Sequence, residues 1–194
     1  MDFISRELRR AGYDENAMDF LAVPDTVTAE ADRTSDFSTI LISGSCVVYA
    51  YDRSPGTPGV VDRSNGEIRA IRRTVQGGVG VIEFAESVSG LTPACDAAGP
   101  NYTTYPATCN ATTGWCALSD PRILNVSEFT LDTSGYIDVA GGTGVNPVQI
   151  RDVIARLKGN LVGDADVTRA VESSIRIRAD CMRTSCNVSP TGTD

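Results

Sequence analysis

Asp52, Asp62, Asn65 and Glu67 stand close together around a Gly/Pro-rich loop, and a cluster of side-chain oxygens is what a calcium ion takes. Their spacing does not match an EF-hand loop, so carboxylates that simply close turns are the favoured reading. The GGTG run at Gly141 to Gly144 has the glycine density of a phosphate loop, but no Lys-Ser/Thr pair follows it and phosphate binding is not expected. Histidine is absent and Lys158 is the single lysine. That excludes Ser-His-Asp and Cys-His nucleophiles and His-bound zinc, and leaves one residue for a Schiff base or a P-loop. The 25 acidic residues offer carboxylate pairs, but no spacing singles one out for glycoside hydrolysis. No catalytic residue and no cofactor is expected, and the chain reads as a non-enzyme.

The six cysteines, Cys46, Cys95, Cys109, Cys116, Cys181 and Cys186, form an even set with no CxxC pair, which points to disulfides in an oxidising compartment. Cys181 with Cys186 would close a small loop. Cys46 is expected to join one of the cysteines between Ala85 and Pro121, with the other two closing that segment; sequence leaves the choice open. Trp115, beside Cys116, is read as packing against a disulfide rather than as an exposed ligand contact. Asn101, Asn110, Asn125 and Asn187 each begin an N-x-S/T triplet, expected from a Ser/Thr-rich composition. A formal charge of −8 argues against direct nucleic-acid binding.

The length of 194 residues suits a single domain over 1–194. Phe3, Ile4, Leu8 and Ala11 make one apolar stripe of a helix that Gly12 ends, with Arg6, Glu7, Arg9 and Arg10 polar. A second helical turn is expected at Asp14 to Leu21. Short strands follow at Ser38 to Ile42 and Cys46 to Tyr51, and a hairpin at Glu67 to Arg73 and Val79 to Phe84 turns on Gly77-Gly78. Ala85 to Pro121 reads as a long stapled loop, the place for an adhesin's ligand site. Its removal is expected to spare the fold. Arg122 to Leu131 is a strand with Ile123, Phe129 and Leu131 on one face; Asp132 to Pro147 is a glycine-rich excursion; Gln149 to Leu157 is a strand with a central character. Ser173 to Asp180 alternates Ile175 and Ile177 inward with Arg176 and Arg178 outward. The tail 187–194 is expected to be flexible. The order, helix first and then antiparallel strands, predicts an α+β fold: an N-terminal amphipathic helix packed on a mainly antiparallel sheet, with a long disulfide-stapled loop.

RELRRAGY (Arg6 to Tyr13) resembles the end of the helix in type IV minor pilins of the PilW kind and in the related type II secretion pseudopilin GspJ. SCVVYAYD (Ser45 to Asp52), NGEIRAIRR (Asn65 to Arg73), GWCALSDP (Gly114 to Pro121), ILNVSEFTLD (Ile123 to Asp132) and SSIRIRAD (Ser173 to Asp180) are similar to the PilW-like pattern in the same order. The resemblance implies a pilin-like fold in which 1–13 is the C-terminal part of the pilin helix and 85–121 a loop insertion. It also implies an inner-membrane prepilin, cleaved and N-methylated by a prepilin peptidase, with a periplasmic domain before assembly and a place in an extracellular pilus after it. The hydrophobic helix half that would anchor it in the inner membrane is expected upstream of Met1. Expected partners are other minor and major pilin subunits, met through Arg6, Glu7, Arg9 and Arg10 by ion pairs. The implied role is a structural and assembly subunit of a type IV pilus, in its initiation or tip complex, supporting adhesion, twitching motility or DNA uptake. A GspJ-like pseudopilin and a secreted, disulfide-stapled adhesin are the alternatives.

Overall fold

The computed structural model describes residues 1–17, 35–53, 56–57, 59–88, 91–139, 148–177, 180–181 and 186–191. The chain opens with α1 (Asp2–Arg10) and then runs through β1 (Ile40–Ser43), β2 (Cys46–Ala50), β3 (Ile68–Gln76), β4 (Val79–Glu86) and β5 (Cys116–Ala117). It continues with β6 (Leu124–Asp132), β7 (Ile137–Val139), β8 (Val148–Ile150), β9 (Asp152–Leu161) and β10 (Asp164–Arg176). Strands β1 to β5 form one sheet in sequence order, β10-β9-β6 form a second, and β7 pairs with β8. Every pairing is antiparallel.

These elements correct the expected α+β fold. Among the described residues the architecture is mainly β, with one α-helix of nine residues, and no single sheet carries a helix along it. The reason lies in which surfaces the sheets bury. Val47, Tyr49, Ile71 and Ile82 of the first sheet pack directly on Val126, Phe129, Val153 and Ile175 of the second, so the main core is sheet against sheet. Ile4, Leu8 and Ala11 enter that cluster as a short plug. Gly12, at φ 79°, ends the helix, and its N–H donates to the Ala50 carbonyl at 2.7 Å.

The opposite face of the first sheet is covered as well. Val48, Ala50, Ile68, Ala70 and Ala85 form a second cluster with Phe37, Val61 and Trp115, with Cys95 and Ala97 packed on it. The segment read as a removable loop is therefore the cover of a core face. All five residues of β2 are buried for this reason, and the strand is apolar at every position rather than alternating.

The hairpin turn falls at Gly77 and Gly78, both at positive φ, joining strands longer than expected. Ile123 is 59% exposed and does not share the buried face of Phe129 and Leu131: β6 begins after it, and a bulge between Val126 and Glu128 sets Val126, Phe129 and Leu131 facing the core. The stretch Gln149 to Leu157 divides at Arg151 into β8 and β9, and β9 is the central strand of its sheet. β7 lies inside the expected excursion. Half of Asp14 to Leu21, residues 18–21, falls outside the described residues, as do the GGTG run and Arg178. Asn187 is held to β1 by its side-chain amide, which brackets the Ile42 backbone at 2.7 and 3.4 Å. No helix among the described residues is long and apolar enough to cross a membrane.

Candidate functional site

Helix α1 presents two chemically different sides. Position 7 is three residues after Ile4 and four before Ala11, so it shares their buried stripe, and Glu7 is 2% exposed. Its carboxylate accepts from Arg69 Nη1 at 2.8 Å, from the Tyr49 hydroxyl at 3.1 Å and from Arg10 Nη1 at 3.2 Å. A buried carboxylate needs this many donors to be tolerated. Arg69 also reaches Glu86 at 3.0 Å, and its guanidinium lies 4.8 Å from the Tyr51 ring centre and 5.5 Å from that of Phe84. Burial, then the Glu7 carboxylate, pushes the Tyr49 phenol well above its ordinary range. Desolvation opposes the charge on Arg69, but the Glu7 hydrogen bond and the nearby Tyr51 and Glu86 outweigh it and raise its pKa.

Arg6, Arg9 and Arg10 take the other side and are exposed. With Asp2, Tyr13, Tyr51 and Asp52 they line a groove of about 760 Å³ along the helix. The groove is held open by the chain's exit from the helix, where the Asp52 N–H donates to the Tyr13 carbonyl at 2.8 Å. Arg10 spans both sides, touching buried Glu7 while its guanidinium lies 5.8 Å from the Tyr51 ring. Guanidinium groups pair bidentately with carboxylates, and this arrangement places three of them beside two aromatic rings, with no nucleophile next to a base among the lining residues. Of the four residues expected on this surface, the structure brings together Arg6, Arg9 and Arg10 and turns Glu7 inward as their anchor. Tyr13, Tyr51 and Arg69 were not singled out from sequence. Only their proximity in the fold marks them, apart from the two-residue spacing that puts Tyr49 and Tyr51 on one face.

The calcium candidates are engaged in closing turns. The Asp62 carboxylate accepts from the Ser64 N–H and hydroxyl at 2.8 and 2.6 Å and from Asn65 Nδ2 at 2.5 Å. The Ser64 hydrogen bonds lower its pKa. Buried Glu67 accepts from the backbone N–H of Asp62 at 2.6 Å and of Arg53 at 3.4 Å. Asp52 sits apart, in the groove, accepting from the Glu15 N–H at 3.2 Å. Among the described residues no group of three or more His, Cys, Asp or Glu side chains is placed to hold a metal.

Three disulfides link Cys46 to Cys95, Cys109 to Cys116 and Cys181 to Cys186. The first ties the cover to the sheet beneath it. Under the cover, Arg72 donates to Glu83 at 2.8 Å and to the Cys95 and Ala97 carbonyls at 2.8 and 2.7 Å, and stacks 3.9 Å from the Trp115 ring. Trp115 is fully buried, with its indole N–H on the Ala94 carbonyl at 3.2 Å. The asparagines of the N-x-S/T triplets also have structural work: Asn125 accepts from the Gly80 N–H at 2.8 Å, and Asn110 accepts from the Thr112 and Thr113 N–H groups.

A model of the family described as prepilin peptidase-dependent protein B matches residues 1–177, from the helix to the end of the second sheet. The chain belongs to that family. No curated protein and no solved structure matches it. Membership makes it a pilus-related protein that depends on prepilin peptidase, and its interactions are with pilus components at that general level. In this prepilin peptidase-dependent protein the matched span contains α1, the groove and both sheets. The Cys181–Cys186 loop lies beyond it.

Proposed function

We propose that the protein is a minor pilin, a structural and assembly subunit of a type IV pilus that acts in its initiation or tip complex without catalysing a reaction. The observation that carries this reading is the two-sided helix of a prepilin peptidase-dependent family member: Glu7 fixes α1 through Arg69 and Arg10, while Arg6 and Arg9 stay exposed toward acidic groups of neighbouring subunits. A helix anchored this firmly keeps its arginines in place, so little order is lost on binding. Before assembly the domain is periplasmic and tethered to the inner membrane; afterwards it is part of the extracellular filament. Adhesion, twitching motility or DNA uptake then depend on it through the pilus.

The test is the intact mass and N-terminal sequence of the native protein recovered from membrane and sheared-filament fractions. An N-methylated N-terminus and recovery with sheared filaments are expected. Ordinary signal-peptide cleavage and absence from the filament fraction would overturn the proposal.

A further inference from the structure

The longest strand, β10, is an edge. It is hydrogen-bonded to β9 on one side, and among the described residues no segment pairs with its other side. Residues 164–172 are all exposed, as are Ser174 and Arg176. A long exposed edge is a template for another strand, and proteins usually blunt such edges. This one has no proline, and it carries Val167 at 39% and Val171 at 48% exposure.

The direction of the free backbone groups follows from the ladder. The Ile177 N–H donates to the Arg151 carbonyl at 3.0 Å, so Ile175, Ser173, Val171 and Arg169, opposite Val153, Ala155, Leu157 and Gly159, also point their backbone groups at β9. Thr168, Ala170, Glu172, Ser174 and Arg176 therefore turn theirs to the open edge. Val171 shares the face of buried Ile175, on a part of the core-facing side that no described residue covers.

We propose that β10 pairs antiparallel with the β10 of a second copy of this chain, about a two-fold axis at Val171. In that register Val171 meets Val171, Thr168 meets Ser174 and Ala170 meets Glu172, using the backbone groups that face outward. Arg176 of each copy then lies at the acidic end of the other strand, where Asp164 precedes a bulge, Asp166 lies within it, and both are exposed. Within its own chain Arg176 contacts Asp180 at 2.8 Å, and it remains 47% exposed for a second carboxylate. Moving the axis one step to Glu172 would set two glutamates face to face, and moving it to Ala170 would carry Arg176 past Asp166 to Asp164, the first residue of the strand. Acid at one end of the strand and base at the other, with an apolar residue between, is complementary to itself. This argues for an identical partner.

Sedimentation velocity across micromolar to millimolar concentrations tests it. The wild type is expected to show a monomer–dimer equilibrium, which Val171→Asp abolishes by placing like charges on the axis. Arg176→Asp alone, and Asp164→Arg with Asp166→Arg, should each weaken association on the order of tenfold, because attraction becomes repulsion at both ends. Mixing the Arg176→Asp protein with the Asp164→Arg/Asp166→Arg protein should restore the dimer. All these positions are exposed, so circular dichroism should show folded variants. A wild type that stays monomeric, a dimer that survives Val171→Asp, or a mixture that fails to recover would each overturn the proposal.

Discussion

Replacing Glu7 by alanine should be among the most damaging single changes on α1, although the residue sits in a run of surface-like charges. The substitution removes the acceptor of three donors, from Arg69, Tyr49 and Arg10, in a site where Glu7 is 2% and Arg69 10% exposed by side chain. Removing one partner of a buried ion pair costs about 3–5 kcal/mol. Arg69 keeps Glu86 at 3.0 Å, and that carboxylate is 44% exposed, which places the cost at the lower end, about 3 kcal/mol. For a domain of this size the melting temperature should fall by roughly 6–12 °C. The assay is urea denaturation with disulfides intact. Glu7→Leu combined with Arg69→Met, which removes both charges together, should lie within about 1 kcal/mol of wild type. A Glu7→Ala cost under about 1 kcal/mol, the range of an exposed pair, would refute the buried anchor.

Loss of the Cys46–Cys95 bridge, which spans 49 residues, should cost about 4 kcal/mol, against about 2 kcal/mol for Cys181–Cys186, which spans five; thermal unfolding of the two serine double variants gives the order. Gly80→Ala should destabilise by about 2 kcal/mol or more in the same assay, because a Cβ there would overlap the Val126 carbonyl where the two sheets meet. Tyr49 and Tyr136 have phenols raised by burial, so the folded state holds their protons above the unfolded value of about 10. The stability they contribute is intact below that pH and falls as pH rises past it, and spectrophotometric titration should show a fraction of tyrosines ionising only on alkaline unfolding.

The hairpin at Gly77-Gly78 and the alternation at Ile175 and Ile177 were legible because each rests on local chemistry: positive φ in one case, period-two burial in the other. The parity and spacing of the cysteines likewise sufficed to anticipate staples. The architecture was not legible, since the α+β expectation assumed that an initial amphipathic helix must cover the sheet. Long-range packing decided otherwise: the second sheet took that place, and the segment around Cys95 and Trp115 covered the other face with few apolar residues and many backbone hydrogen bonds. The first part of β10, residues 164–172, escaped notice because every one of them is exposed and leaves no buried period to read. Glu7 was grouped with Arg6, Arg9 and Arg10 by type. Its place on the helical wheel with Ile4 and Ala11 was the available signal that it faces inward, and its partner Arg69 lies 62 residues away.

The most direct test of the account is the recovery of an Arg6→Glu/Arg9→Glu variant in sheared-filament fractions, alongside its melting temperature. Both residues are exposed and line the groove, while Arg10 and its contact with Glu7 are left in place. The account predicts a variant that melts within about 1 °C of wild type, as surface substitutions do, yet is lost from the filament fraction. A variant that incorporates as well as wild type would contradict the claim that the arginine side of α1 is the subunit interface.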